Sequence, residues 1–157
     1  LQRETVRRLT EGGYGRYEIS NYARPGFECR HNLVYWNRGD YLGLGCAAHS
    51  LMDGERFENP RSLEEYLAGE RRLNREKLTQ TDAMEETLML STRTTRGMSL
   101  RAYAEEFGVD FEKTHEKKLR RLVQLGLIQL EDGFLRLTER GMELQNAVVV
   151  ELMDDQP

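Results

Sequence analysis

Six consecutive residues, His31-Asn32-Leu33-Val34-Tyr35-Trp36, bring together an imidazole, a carboxamide, a phenol and the only tryptophan of the chain. An imidazole lone pair can ligate a metal, although a single histidine more often serves as a hydrogen-bonded structural group, and both readings of His31 stay open on residue type alone. Asn32 has the donors and the acceptor to hold a loop, while Leu33 and Val34 are expected to anchor the segment in a core. A second segment, Gly43-Leu44-Gly45-Cys46-Ala47-Ala48-His49-Ser50, is built of small residues that let backbone approach a ligand closely. It lacks the G-x-G-x-x-G pattern, so the local reading is a tight turn after a buried strand. Lys113, Lys117, Lys118, Arg120 and Arg121 form a basic helix face of the kind that enters a DNA groove, but Glu112 and Glu116 dilute it. No nucleophile–histidine–acid set, phosphate loop or carboxylate pair stands above the general charge content, so no catalytic residue is assigned and the chain alone is not expected to be an enzyme.

The elements that must position these groups can be read from caps and periodicity. Residues 2–11 read as a helix with Val6 and Leu9 on one face, stopped by Gly12-Gly13, and residues 14–21 as a strand. The signature block, from Tyr17 to Trp36, is expected to break at Pro25-Gly26 and to present His31 on a loop. Residues 55–60 read as a strand or extended turn, and Ser62-Leu63-Glu64-Glu65 matches a capping box that opens a short helix ending at Gly69. Residues 70–77 are a charged connector. Beyond it the pattern turns helical: 82–93, then Ser99 through Phe107 closed by Gly108, then Asp110 through Leu125 closed by Gly126. Asp132-Gly133 joins two apolar runs as a hairpin, and Thr138 caps a last helix. The arrangement is winged-helix-like, which divides the chain into residues 1–77 and 78–157.

At 157 residues, 38% hydrophobic and 32% charged, the chain has the composition of an ordinary globular protein. No apolar run approaches the roughly 20 residues of a membrane span, so the expected location is the cytoplasm. Cys29 and Cys46, seventeen positions apart, exclude a disulfide framework and are expected to be reduced thiols with one or both buried. The net charge of −4 is uneven, with +1 on residues 1–77 and −5 on residues 78–157, which weighs against a nucleic-acid partner whose affinity would come from phosphate neutralisation.

The block from Tyr17 to Trp36, followed by Gly39 to Ser50, resembles the HemW family of haem chaperones, relatives of the oxygen-independent coproporphyrinogen III oxidases of the HemN type. The resemblance is most specific over residues 17–50, and the rest follows the family's C-terminal part in order and character. It implies an α+β chain: the C-terminal remnant of a radical S-adenosylmethionine (β/α) barrel, then a winged-helix-like domain covering the barrel. Such proteins carry a Cys-x-x-x-Cys-x-x-Cys motif for a [4Fe–4S] cluster, which this sequence lacks, so the chain is expected to be the C-terminal portion of a longer protein that holds the cluster and S-adenosylmethionine. The resemblance further implies haem as cargo, with His31 as the candidate ligand of the iron and Asn32, Tyr35 and Trp36 around the porphyrin. By the same resemblance Gly43, Gly45, Ala48 and His49 lie in the vicinity of S-adenosylmethionine, and the partners are haem or a porphyrinogen and haem-acceptor proteins. The alternatives are a coproporphyrinogen III oxidase as the parent and, from residues 78–157 alone, a nucleic-acid-binding winged helix.

Overall fold

A computed structural model of the chain describes residues 2–69 and 72–153. The first helix, α1 (Gln2–Glu11), ends at Gly12-Gly13, where Gly13 takes φ +82° and the amides of Gly12 and Tyr14 return to the Arg8 and Leu9 carbonyls. The strand expected over residues 14–21 is reduced to a two-residue ribbon, β1 (Gly15–Arg16) against β2 (Tyr22–Ala23). Glu18 is the cause. Its Oε1 accepts from the Ser20 amide and the Asn21 carboxamide, diverting a backbone donor from any sheet, and the residue is 0% exposed.

The signature block is not a loop. Residues Arg30–Trp36 form α2, which starts at Cys29 without a side-chain cap and buries none of its residues completely. Leu33 is half-buried and Val34 is 37% exposed, so the expected core anchors only graze the interior. Residues 37–48 then lead into an antiparallel sheet of β3 (His49–Met52), β4 (Glu55–Glu58) and β5 (Leu73–Lys77). The β3–β4 turn places Asp53 and Gly54 at φ +52° and +72°, the two left-handed residues that match a hairpin's twist. Helix α3 (Leu63–Leu67) lies between β4 and β5, and Ser62 accepts from the Glu65 amide as its cap. The expected connector is therefore sheet over residues 73–77, because an edge strand accepts charged residues on its open side, and its first two residues lie outside the described residues.

The described residues of the second half form four helical stretches and a hairpin around one core. Helix α4 (Gln80–Ser91) begins two residues earlier than the apolar pattern suggests, because Thr79 and Asp82 form a reciprocal capping box. Ser99 and Gly108 bound α5 (Leu100–Phe107), Gly108 in the left-handed conformation at φ +69°. The predicted helix over 110–125 is broken at His115 into α6 (Phe111–Thr114) and α7 (Glu116–Gln124); His115 leaves helical geometry while its Nδ1 meets the Phe111 carbonyl oxygen at 3.0 Å. The last helix is likewise divided at Leu144 into α8 (Glu139–Glu143) and α9 (Gln145–Met153). Three strands, β6 (Met98–Ser99), β7 (Ile128–Glu131) and β8 (Phe134–Leu137), form the wing in the order β6-β8-β7, turned by Asp132-Gly133. Met98, Tyr103, Phe111, Leu119, Ile128, Leu135, Val148 and Leu152 are central to the core, with Ile19 packed against it from the first half.

Candidate functional site

Helix α2 sits between the two halves and meets each through a different face. On one face the Trp36 ring lies under the Arg93 guanidinium, 4.6 Å from carbon to ring centroid. Arg93 also pairs with the buried Glu18 at 3.4 Å, and the Ile19 amide donates to the Arg93 carbonyl. Backbone contacts between Glu18 and Thr94, and from the Thr95 amide to the Tyr17 carbonyl, complete a seam that holds the signature block against the end of α4. Just beyond α2, Arg38 bonds Thr87 and pairs with Glu106. Asn32 donates to the Tyr17 hydroxyl at 3.4 Å, a long contact that links α2 back to its own entry.

On the opposite side His31 and Tyr35, one turn apart, form an outward-facing pair. The Tyr35 hydroxyl is 3.1 Å from His31 Nε2, and the rings meet edge to face with centroids 4.8 Å apart. Tyr35 is supported from behind by Tyr41 at 4.5 Å, also edge to face. Tyr41 is fixed in turn by reciprocal backbone bonds with Leu51 of β3. Burial pushes the Tyr41 phenol above its ordinary range, and the nearby Arg56 charge partly opposes that rise. Arg56 pairs with Glu86 of α4, so this support too is tied to both halves. The imidazole of His31 is exposed, while Tyr35 is half-buried and braced by Tyr41.

The glycine-spaced segment is held inward. Buried Asn59 donates to the carbonyls of both Gly43 and Gly45, while the Gly43 amide donates to Ser50 Oγ and the Gly45 amide to the Tyr66 hydroxyl. A Cβ at Gly43 would stand 2.2 Å from the His49 carbonyl oxygen, so glycine there serves chain packing against β3. The Ala48 carbonyl accepts from Asn59, and the His49 imidazole points outward, 3.5 Å from Glu58 Oε2. The flanking Leu42 and Leu44 are exposed. The structure thus brings His31 and Tyr35 together, places Trp36 on the other face of the same helix, and keeps Gly43, Gly45 and Ala48 in a separate segment that leads to His49 at the start of β3.

Cys29 is exposed and Cys46 half-buried, where burial of one or both was expected; both are free, since each lies in irregular chain outside the core. Among the described residues no group of three or more His, Cys, Asp or Glu side chains could hold a metal ion, so this chain's own residues do not fit an iron–sulfur cluster. On α7, Arg120 pairs with Glu116 and Arg121 with Glu151, which removes much of the basic face. Glu18, Arg93 and Tyr41 escaped the sequence reading. Glu18 and Arg93 are 75 positions apart, and only the run Tyr17-Glu18-Ile19, a charge between two β-prone residues, hinted that the carboxylate had a buried task.

Comparison with known proteins follows the same outline. Residues 78–144 match the HemN C-terminal domain. The haem chaperone HemW of Lactococcus lactis is 32% identical over 151 residues, covering 94% of this chain and 40% of the relative. HemW of Bacillus subtilis is 33% identical over 141 residues, covering 87% of this chain and 37% of the relative. Among solved structures, the coproporphyrinogen III oxidase HemN of Escherichia coli, described as a radical SAM enzyme, superposes with a TM-score of 0.70 at 19% identity, over 98% of this chain and 40% of that one. That likeness establishes the fold. The chain spans about 40% of the length of the curated relatives it matches. No helix among the described residues is long and apolar enough to cross a membrane. Residues 78–144 are therefore a HemN C-terminal domain, and over most of its length the chain is similar to haem chaperones of the HemW type.

Proposed function

We propose that this chain supplies the haem-holding surface of a haem chaperone, with the outward edge of α2 as the place where the iron is met. The observation that carries the reading is the His31–Tyr35 pair, exposed on one side and supported on the other by Tyr41, on a helix clamped to both halves. Neutral imidazole is a good axial ligand for haem iron, and His31 is the nitrogen donor this surface offers. Tyr35 lines the approach to the porphyrin, Trp36 sets the helix through Arg93, and Asn32 ties it to Tyr17. Delivery to an acceptor protein suits an exposed edge, because cargo held at a surface can be handed on without unfolding the holder.

S-adenosylmethionine and a [4Fe–4S] cluster belong in this reading to the longer protein implied by the relatives' length. The turn at 43–49 faces that cofactor by its outer edge, His49 and Ala48, since the polar backbone groups of Gly43 and Gly45 are already engaged. The division at residues 77 and 78 remains our proposal for the two units, with the second acting as a cover rather than as a DNA reader. The cytoplasm is the compartment proposed for haem delivery.

Trp36 gives the test, being the only tryptophan and on the proposed helix. Haem bound at α2 quenches its emission with one equivalent per chain. His31→Ala is expected to weaken that binding by roughly 10- to 100-fold. Equal quenching curves for wild type and His31→Ala would remove His31 from the site.

A further inference from the structure

On the face of α2 away from His31, Trp36 and Arg96 line a cleft of about 220 Å³ between the end of that helix and the helical half. Two groups in its walls lack the partners their chemistry calls for. Trp36 Nε1 is buried with no hydrogen-bond acceptor, and a buried donor left unpaired is costly. The Arg96 guanidinium lies over the Phe134 ring at 5.6 Å and pairs with no carboxylate among the described residues. Arg136 approaches the same ring to 5.0 Å and meets Glu131 at 3.7 Å, so of the two cations Arg96 is the one left without an anion.

The rest of the lining narrows what could enter. Ser99 Oγ accepts from the Ala102 amide, which leaves its O–H to donate. Glu106, the carboxylate in the lining, is already engaged by Arg38. Met98, Ala102 and the Phe134 and Trp36 rings make the other walls apolar, which suits a ligand with a hydrocarbon body better than a hydrated inorganic ion. The volume lies below the roughly 300–1,000 Å³ of sites for drug-sized ligands, so the occupant is small.

We propose that this cleft binds a short-chain carboxylic acid, its carboxylate held by Arg96 and the Ser99 hydroxyl and its alkyl body packed against Met98, Ala102 and the Trp36 indole. A guanidinium fork matches a carboxylate with two parallel N–H donors, the strong form of charge-assisted hydrogen bond. The same chemistry is carried by a free acid and by the propionate arm of a porphyrin. The site is distinct from the His31 edge and does not depend on iron being met there.

The test uses the purified chain without haem, with pentanoate as the probe and the emission of Trp36, the only tryptophan, as the readout. Pentanoate is expected to shift that emission saturably with a Kd of roughly millimolar, the scale for so few atoms. Pentanamide, with the same shape and no charge, is expected to bind roughly tenfold more weakly. Arg96→Gln keeps a polar head beside Phe134 and is expected to bind acid and amide alike, at the amide's affinity. Ala102→Leu fills the cleft and is expected to abolish both responses. Near-ultraviolet circular dichroism checks the fold of each variant, and Arg96→Gln, at an exposed position, carries the test by itself if Ala102→Leu does not fold. No saturable shift in wild type, equal affinity for pentanoate and pentanamide, or wild-type pentanoate binding in Arg96→Gln overturns the proposal and leaves the haem reading of His31 untouched. Equilibrium dialysis of radiolabelled pentanoate then separates the two sources: displacement by haem and not by its dimethyl ester assigns the cleft to a propionate arm, displacement by neither assigns it to a free acid, and displacement by both equally overturns the carboxylate assignment.

Discussion

Replacing Glu18 by alanine removes the group that joins the signature block to the helical half. The carboxylate is fully buried and receives three contacts: from the Ser20 amide at 2.7 Å, from the Asn21 carboxamide at 2.6 Å and from Arg93 at 3.4 Å. Glu18→Ala deletes the acceptor and leaves those donors around the space it occupied. Breaking a buried pair from one side typically costs about 3–5 kcal/mol. Two features place the expected value toward the lower end of that range: Arg93 is 27% exposed and can recover some hydration, and its distance to Glu18 is long for an ion pair. A loss of about 3 kcal/mol corresponds to roughly 6–12 °C in Tm for a chain of this size. Glu18→Gln keeps an oxygen for Ser20 and Asn21 and forfeits only the charge facing Arg93, so about 1–2 kcal/mol is expected. Urea unfolding followed by Trp36 emission reads both effects, and the emission itself should shift in Glu18→Ala because Arg93 lies over that indole. If Glu18→Ala stays within about 0.5 kcal/mol of wild type, as a surface substitution would, Glu18 does not join the halves and the seam must be held by its backbone bonds alone.

Gly43→Ala places a methyl group 2.2 Å from the His49 carbonyl oxygen, a backbone atom that cannot step aside, so a loss of roughly 1–3 kcal/mol is expected in thermal unfolding, whereas Gly45→Ala is strained by its φ of +98° without a steric clash. Alkaline stability follows Tyr103, whose phenol is pushed up by burial and secondarily by Glu85. Its folded pKa lies above the unfolded one, so the stabilisation is complete below about pH 10 and is lost as pH rises through the folded value; urea midpoints should fall as pH is raised above about 10, and less steeply in Tyr103→Phe. Duplex DNA is expected to bind the chain weakly and without sequence preference, given the Arg120–Glu116 and Arg121–Glu151 pairs; submicromolar binding at physiological salt with a steep salt slope would revive the nucleic-acid reading.

The helical half was the more legible because its signals are local. Ser99, Asp110 and Thr138 each accept from an amide three residues on, and Gly108, Gly126 and Asp132-Gly133 take the left-handed conformations their positions call for. The signature block offered no such signal. Helix α2 has no side-chain cap, and its Val, Tyr and Trp residues are indifferent helix formers, so its form comes from what it packs against: Arg93 over Trp36 and Tyr41 against Tyr35. The break at His115 was hidden for a related reason, since no Gly or Pro interrupts residues 111–124 and only the contact of the imidazole with Phe111 marks the change. The site residues were named by type and by resemblance. Their pairing was not, because a 3.1 Å hydrogen bond between His31 and Tyr35 requires the helix that the block does not advertise.

The central claim is that haem iron is met by the outward edge of α2, and the most direct measurement is a haem titration followed in the Soret region for wild type, His31→Ala, His49→Ala and His115→Ala. His49 opens β3 and is paired with Glu58 of β4, and His115 is stacked on Phe111 at 4.1 Å within the helical half, so neither lies on α2 and each serves as an internal control. The account predicts that His31→Ala alone weakens binding, by roughly 10- to 100-fold, and shifts the Soret band, while the other two variants overlay wild type. Wild-type affinity and an unchanged Soret band in His31→Ala, or an equal loss in all three variants, would contradict it.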